Sequence, residues 1–430
     1  MTEDFLQYVW QFQQFDKSNL LSKENHNLSI LKVGQKNFDA GPDFSNARIM
    51  FDGVEWAGQV EIHCNSSEWI NHKHQSDLSY DNVILHVVWN HNEVIRRVNG
   101  SIVPTLELKN IVFEDTLNNY RNLVLNKKDI PCDTFFKEFS EISKLSMLDK
   151  ALANRLERKA NEINAILIKN KQDWEETSYQ ILARNFGFKL NSEVFLRLAE
   201  VLPLKIIKKH QGNLFQIEAL CFGQAGFLND SVDDYSKKLE AEYNYLANKY
   251  GFQSLSISKH QWKYLRTRPS NFPSIRLHQF ASIINNSRSF FLDFVLNAQK
   301  ENIIKLLQIL PSKYWQTHYD FDKKSKVLLK GLGTSSIENV IINTTVSLLA
   351  AYSFSTGLPE YFERAIEILG KLKPEKNTIT EKWENLGLKI KSSFDSQAVI
   401  EQYNEFCTKK RCMECSLGSS ILKSISNRNY

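Results

Sequence analysis

The hydrophobic pattern of this 430-residue chain changes character near residue 133. Before that point, short runs rich in β-branched and aromatic residues alternate with turn signals such as Asp52-Gly53 and Asn99-Gly100. After it, apolar residues recur at helical spacing, beginning with a long stretch from Phe136 to Asn170. Alternate side chains share one face of a strand, whereas every third or fourth side chain shares one face of a helix. The sequence therefore predicts an α+β protein, with a small α/β domain over residues 1–130 and a large, mainly helical domain over residues 131–430.

The front domain is predicted to contain one helix and a mixed sheet. Apolar residues between Phe5 and Phe15 have helical spacing, which predicts an amphipathic helix over residues 3–15. Five runs follow with the composition of strands: Leu28 to Val33, Ala47 to Phe51, Gln59 to His63, Val83 to Trp89 and Ile102 to Leu108. The fourth run is almost entirely apolar, which is typical of a central strand that is covered on both faces.

Composition narrows the class of protein. No segment has the ~18 consecutive apolar residues of a membrane span, and the acidic N-terminus lacks the basic region of a signal peptide. We therefore expect a cytoplasmic protein without membrane association, in which its six cysteines are reduced or bind metal. Residues 1–130 carry 12 Lys/Arg and 17 Asp/Glu, whereas the remainder carries 42 and 32. An acidic front and a basic body suit a phosphate-rich substrate, although solubility alone also accounts for these charges.

Histidines and acids are concentrated between residues 43 and 91. Five of the ten histidines lie between His63 and His91, and several carboxylates are interspersed with them. Imidazoles and carboxylates are the groups that bind divalent metals and transfer protons in catalysis. This region is therefore the first candidate for a functional site.

Asp43, Glu61 and His63 form the core of that candidate site. On a strand, Glu61 and His63 point to the same face, and Asp43 lies at the start of the preceding predicted strand. Two carboxylates can bind Mg²⁺ or Mn²⁺, which can orient a phosphodiester and ionise a water molecule, while His63 positions that water. We assign these three residues as catalytic and metal-binding candidates. The alternative is structural, with Asp43 capping a turn and Glu61 pairing with an arginine.

The order of these features resembles the PD-(D/E)XK nuclease superfamily. A helix, a strand, Pro42-Asp43 at the second strand and Glu61-x-His63 on the third follow in the family's order, with His63 where the family has lysine. The resemblance implies that Asp43 and Glu61 bind the catalytic metal. Most of the chain also resembles a bacterial family of uncharacterised proteins. That resemblance rests on Gly41-Pro-Asp-Phe44, Val60-Glu-Ile-His63, His72-Lys-His-Gln75, the segment from Tyr80 to Val88 and the cysteine-bearing tail.

His72 and His74 are candidates for further metal ligands. Together with nearby acids and His86, they suit a Zn²⁺, Mn²⁺ or Fe²⁺ site that is separate from the first site or part of it. The alternative places His72 and His74 in a solvated polar loop and His86 in the core, where an isolated strand histidine usually belongs.

A second metal signal lies near the C-terminus. Cys407, Cys412 and Cys415 are separated by four and two residues and flank a Lys-Lys-Arg sequence, whose charge favours thiolate. A Zn²⁺ ion or an iron–sulfur cluster needs a fourth ligand, for which Cys132 is the best candidate, ahead of Cys221 and Cys64. The alternative is a set of reduced cysteines that pack a terminal turn.

Residues 243–292 contain no acid but several basic and aromatic residues. Lys263, Arg266, Arg268 and Arg276 lie among Trp262, Tyr264 and Phe272, a combination that can bind phosphates and stack on bases. The stretch is therefore a candidate interface for DNA or RNA. The alternative is an ordered loop whose arginines pair with acids from elsewhere in the chain.

These features together favour a metal-dependent phosphodiesterase or nuclease. Two other hypotheses remain open at this stage. One is a non-catalytic nucleic-acid-binding or scaffold protein with a structural metal, and the other is a histidine-metal hydrolase of a small molecule.

Overall fold

The computed structural model describes residues 1–252, 256–265, 267–326, 328 and 331–423. The chain forms two compact units. The first comprises Met1–Met147 and the C-terminal segment that begins at Gln402, and the second comprises Leu148–Glu401. The sheet-containing front and the helical remainder confirm the predicted α+β class. None of the described helices is both long enough and apolar enough to cross a bilayer.

The first unit is built on a seven-stranded mixed sheet. Its strands are β1 (Leu20–Leu21), β2 (Asn27–Lys32), β3 (Gln35–Lys36), β4 (Phe44–Phe51), β5 (Val54–Asn65), β6 (Val83–Asn90) and β7 (Thr105–Glu107). They follow in the order β1-β2-β4-β5-β6-β7, with β3 paired to β4. Strands β2, β4 and β5 pair antiparallel, whereas β5, β6 and β7 pair parallel. Its helices are α1 (Glu3–Gln11), α2 (Glu68–Asn71), α3 (Glu114–Leu125) and α18 (Ser416–Lys423).

The turn between β4 and β5 forms for a local reason that the sequence predicted. Asp52 and Gly53 both have positive φ angles, +48° and +86°, and Phe51 pairs directly with Val54. A two-residue turn with this backbone matches the right-handed twist of the two strands. The hairpin fixes the register of β5 and therefore decides which of its side chains face the core.

Helix α1 covers one face of the sheet. Thr2 caps it by accepting a hydrogen bond from the Phe5 backbone N–H at 3.3 Å. Its apolar face is fully buried, including Phe5, Val9 and Trp10. Burial of three such side chains contributes about 1.5–3 kcal/mol each, so packing against the sheet stabilises this helix more than intrinsic helix propensity does.

The second unit is almost entirely helical. Its helices are α4 (Glu141–Lys169, which begins in the first unit), α5 (Trp174–Phe186), α6 (Phe188–Val201), α7 (Leu204–Ile207), α8 (Leu214–Gln224), α9 (Asp234–Tyr250), α10 (Pro273–Asn286), α11 (Lys300–Leu307), α12 (Lys313–Thr317), α13 (Thr334–Val340), α14 (Ser347–Thr356), α15 (Pro359–Lys371), α16 (Thr378–Asn385) and α17 (Ser393–Glu401). A short antiparallel pair, β8 (His318–Asp320) and β9 (Lys323–Lys324), interrupts them. Buried aromatic rings, among them Phe186, Phe195 and Phe280, pack in its core.

The division of the chain differs from the predicted boundary at residue 130. The predicted helical domain, residues 131–430, included the C-terminal tail, whereas that tail belongs to the first unit. Hydrogen bonds explain the difference: Thr116 Oγ1 donates to the Leu422 carbonyl at 3.2 Å and Asn119 Nδ2 to the Ile421 carbonyl at 3.0 Å. These contacts bind α18 to α3, and no local sequence pattern reveals them.

Candidate metal centre

Strand β5 places Glu61 and His63 on the same side of the sheet, as their alternation predicts. Ile62, between them, faces the opposite side and is buried. The parallel strand β6 aligns His86 with Glu61. His86 is fully buried, and its Nε2 lies 2.8 Å from His63 Nδ1. The strand pairing therefore sets His63 between a carboxylate and a second imidazole.

The loop after β5 brings His72 and His74 back to this face. Lys73 between them adopts a left-handed conformation, with φ +64° and ψ +26°, which is uncommon for a residue with a side chain. His74 is held by ring contacts: it stacks on Tyr80 at a centroid distance of 3.7 Å and meets the edge of Trp69 at 5.4 Å. His74 is therefore buried and does not lie in a solvated loop, whereas His72 is exposed, as that alternative expected.

Four side-chain atoms converge at this point. His63 Nε2 lies 3.1 Å from His72 Nδ1 and 3.5 Å from Glu61 Oε1. The same Glu61 oxygen lies 3.4 Å from His74 Nε2. One nitrogen from each of the three histidines lies within 4.8 Å of the other two. Ligands bound tetrahedrally at about 2.1 Å are separated from each other by about 3.4 Å, so these separations fit a single metal ion.

Burial keeps His63 and His86 in the neutral imidazole form. His63 is 2% exposed, and burial, with smaller contributions from His74 and His72, lowers its pKa to about 3. Burial also holds the pKa of His86 well below its ordinary value. Neutral imidazole is the form that binds metals. If His63 Nε2 is the ligand, its Nδ1–H donates to His86, the kind of support that orients metal-bound histidines.

His74 provides a further indication that a ligand is needed. Its Nε2 is buried and, apart from the 3.4 Å approach of Glu61 Oε1, makes no hydrogen bond within the part of the chain that the structure describes. A buried polar atom without a partner is costly, by about 1–3 kcal/mol. His72, in contrast, is exposed and leaves the group accessible from solvent.

Asp43 joins this group in a different role from the one predicted. Its Oδ1 accepts a hydrogen bond from Gln7 Nε2 at 2.8 Å, and its Oδ2 accepts one from the Ile62 backbone N–H at 3.0 Å. In return, Glu61 Oε2 accepts a hydrogen bond from the Asp43 backbone N–H at 3.0 Å. The two acids therefore clamp the start of β4 to β5. Burial, and then the charge of Glu61, raises the pKa of Asp43 to about 7.

Two residues on α1 also contribute to this region, and the sequence interpretation missed Gln7. Gln7 contacts Asp43 directly. Glu3 is partly buried, and burial followed by repulsion from Glu68 raises its pKa, while His72 lowers it. Residues 3 and 7 lie one helical turn apart, so their i, i+4 spacing was the available signal. His86 was assigned to the core, where it lies, but its contact with His63 was not anticipated.

The four candidate cysteine ligands all belong to the first unit, and no described cysteine forms a disulfide. Cys132, Cys407 and Cys415 are buried, and Cys412 is partly buried. Lys410 lowers the pKa of Cys412, as expected of a basic neighbour, but burial outweighs this effect. Burial raises the pKa of Cys132 to about 12 and that of Cys412 to about 11. The neighbours Lys409 and Arg411 pair with acids instead.

The proposed nucleic-acid residues differ in their placement within the second unit. Lys263 and Arg268 are exposed, and Arg266 lies outside the described residues. Arg276 is only 7% exposed, so its assignment to a binding surface was wrong. Its guanidinium donates to Gln279, Asn271 and Ser336, and lies over the Phe188 ring.

The aromatic residues of that stretch pack internally. Trp262 is buried and donates its indole N–H to the Ala225 carbonyl at 2.9 Å. Tyr264 and Phe272 contact each other edge to face at a centroid distance of 5.1 Å. The predicted stacking of bases on Trp262 is therefore incompatible with this packing.

Comparison with known proteins identifies the family without assigning an activity. No curated protein and no solved structure matched the chain. A family model described as "Protein of unknown function (DUF2851)" matches residues 3–378, a span that includes every residue of the histidine and carboxylate group. The chain belongs to this family, DUF2851.

Proposed function

We propose that the first unit is a metal-dependent hydrolase whose ion is held by His63, His72 and His74, with the Glu61 carboxylate beside them. The observation that carries the proposal is that one nitrogen from each of the three histidines lies within 4.8 Å of the other two, with Glu61 Oε1 3.5 Å from His63 Nε2 and 3.4 Å from His74 Nε2. Three histidine ligands leave a single metal with the open position that catalytic sites use.

The donor set favours a transition metal. Mg²⁺ prefers oxygen ligands in octahedral geometry, whereas three imidazoles suit Zn²⁺, Mn²⁺ or Fe²⁺. Of the two ions expected from the sequence, Mn²⁺ is the one that we retain. When bound, such an ion lowers the pKa of a water molecule and polarises a phosphoryl or carbonyl oxygen.

The surrounding residues have positioning roles in this proposal. His86 holds the ring of His63 through the 2.8 Å contact, and Tyr80 holds that of His74 through stacking. Asp43 binds the backbone of β5 beside Glu61 and keeps the carboxylate in place. Preorganised ligands of this kind need little rearrangement when an ion or substrate arrives.

We propose a phosphodiester as the substrate class. Support comes from the order of elements: α1, the antiparallel strands β2, β4 and β5, the short helix α2, and the parallel strand β6. Asp43 precedes the second of these strands, and Glu61-x-His63 lies on the third, in the order that resembles PD-(D/E)XK nucleases. The acid-free stretch contributes Lys263 and Arg268 as exposed cations for a nucleic acid.

A second candidate function is hydrolysis of a small molecule. The observation that favours it is the excess of imidazole over carboxylate among the converging atoms, since Asp43 directs both of its oxygens to hydrogen bonds. Nitrogen-rich single-metal sites act on carbonyl substrates as well as on phosphates.

The full-length chain, stripped of metal with a chelator, provides the test. Mn²⁺, Zn²⁺, Fe²⁺ and Mg²⁺ are added separately, and cleavage of plasmid DNA, single-stranded RNA and a nitrophenyl phosphodiester is measured. We expect cleavage with a transition metal and much less with Mg²⁺. Esterase substrates tested in parallel distinguish the second candidate function.

Matched variants connect activity to the group. Glu61→Gln and His74→Ala are expected to abolish metal-dependent turnover, and His26→Ala, which removes an exposed histidine of the same unit, is expected to retain it. Nucleic-acid binding without turnover under every metal would refute hydrolysis and support a scaffold protein. Turnover that survives complete metal removal would equally refute the proposal.

A further inference from the structure

The four cysteines Cys132, Cys407, Cys412 and Cys415 are brought together by the packing of the C-terminal tail. Lys410 Nζ donates to the Asn126 carbonyl at 2.6 Å and to the Lys128 carbonyl at 3.1 Å. These two carbonyls belong to the loop that leads to Cys132. The tail is thereby fixed to the loop although 275 or more positions separate the cysteines of the two segments.

The thiols interact with one another. Apart from burial, the groups that raise the pKa of Cys132 most are Cys415 and Cys412, and Cys132 in turn acts on Cys407. Each of the four is a free cysteine. Packing alone does not require cysteine at these four positions, because a small apolar residue would fill the same space. The four free thiols where the two segments meet therefore suggest a ligand.

We propose that Cys132, Cys407, Cys412 and Cys415 bind an iron–sulfur cluster. A Cys-x₄-Cys-x₂-Cys run with one distant cysteine is a spacing that ferredoxin-type clusters use, and here the distant cysteine precedes the run. This site is separate from the histidine group and does not depend on the hydrolytic proposal.

The spacing of the sulfur atoms bears on whether the four cysteines bind a cluster or a single zinc ion. Four thiolates on Zn²⁺ lie about 3.8 Å apart, since each Zn–S bond is about 2.3 Å. Among the described residues, only the three histidines form a group of three or more metal-ligating atoms within 4.8 Å of one another. No three of the four cysteine sulfurs therefore lie within 4.8 Å of one another, a wider spacing than four thiolates on one Zn²⁺ have.

The side chains and backbone around the cysteines also fit a buried cluster. Gln402 Nε2 donates to Cys415 Sγ at 3.2 Å and approaches Cys407 Sγ at 3.9 Å, and N–H···S bonds of this kind stabilise cluster thiolates. Gln402–Cys407 forms a π-helical turn, a form frequently found at functional sites. A Cβ at Gly418 would lie 2.1 Å from the Cys412 carbonyl oxygen, so glycine permits α18 to approach this loop.

Anaerobic purification of the full-length chain tests the proposal. Iron, zinc and acid-labile sulfide are measured per chain, with visible absorption before and after dithionite. We expect iron and sulfide in equal amounts and an absorption band that bleaches on reduction. Sulfide distinguishes a cluster from iron bound at the histidine group. About one zinc per chain without iron would overturn the assignment, as would folded protein that holds neither metal and takes up no cluster on anaerobic reconstitution.

Variants make the result specific to these cysteines. Cys412→Ser alters the partly buried ligand and is expected to fold and to lose iron and sulfide together. Cys221→Ser and Cys64→Ser, outside the group, are expected to keep both. Because low occupancy can arise during expression, chelated protein is also reconstituted anaerobically with Fe²⁺ and sulfide. Failure of wild type to take up both, or equal uptake by wild type and Cys412→Ser, would refute the site.

Discussion

Replacing Asp43 with asparagine should change how the stability of the metal-free protein depends on pH. Burial and the neighbouring Glu61 raise the pKa of Asp43 from 3.8 to about 7. The folded state therefore holds a proton that the unfolded state releases near pH 4. The resulting stabilisation is complete below pH 4 and is lost as the pH rises through 7.

The size of the effect follows from the difference in pKa. A change from 3.8 to about 7 corresponds to roughly 4 kcal/mol between pH 4 and pH 8, as an upper value for a pair of interacting acids. For a folding unit of this size, that free energy corresponds to a difference of about 10 °C in melting temperature. Asparagine keeps an oxygen acceptor for the Ile62 N–H but does not ionise. The Asp43→Asn variant should therefore not show this fall in folding stability between pH 4 and pH 8.

Calorimetry in EDTA at pH 4, 6 and 8 measures the difference. Wild type and Asp43→Asn should melt at similar temperatures at pH 4, and the variant should melt higher at pH 8. Groups that titrate equally in both proteins cancel in this comparison. Asp39→Asn, which makes the same chemical change at an exposed position of the same loop, should follow wild type. A constant difference between Asp43→Asn and wild type across this range would show that the reasoning is wrong.

Three further substitutions test other parts of the structure. His86→Ala removes the partner of His63 Nδ1 and should weaken Mn²⁺ or Zn²⁺ binding by roughly 10–100-fold in calorimetric titration; an unchanged Kd would contradict its positioning role. Arg276→Ala should destabilise the protein by about 2 kcal/mol and leave DNA affinity at low salt unchanged. Lost affinity at unchanged stability would restore its assignment to a binding surface. Gly58→Ala places a Cβ 2.4 Å from Ile84 Cγ2, and the required shift of β6 should cost about 1–3 kcal/mol in denaturant unfolding; wild-type stability would contradict that clash.

Local sequence patterns predicted a large part of the first unit. Runs rich in β-branched residues marked the strands, and Asp52-Gly53 marked the hairpin between β4 and β5. Alternation along β5 placed Glu61 and His63 on one face. These features depend on a few consecutive residues, whose backbone preferences and side-chain directions repeat with a fixed period.

The composition of the candidate site was only partly predictable. The sequence named every histidine of the group, but it could not show that His72 and His74 return to β5. That return depends on the left-handed Lys73 and on ring packing against Tyr80. It also could not show that both Asp43 oxygens accept hydrogen bonds from Gln7 and Ile62, because those bonds depend on how α1 and two separate strands pack together.

The sequence by itself determined the α+β class, five of the seven strands of the front and the set of side chains available for chemistry. Only the tertiary structure decided that the tail belongs to the first unit and that Arg276 is buried. The physical reason is the range of the forces involved. Periodicity and turn preference act between near neighbours in the chain, whereas the distances that define a binding site are set by packing and hydrogen bonds between segments that are far apart in sequence.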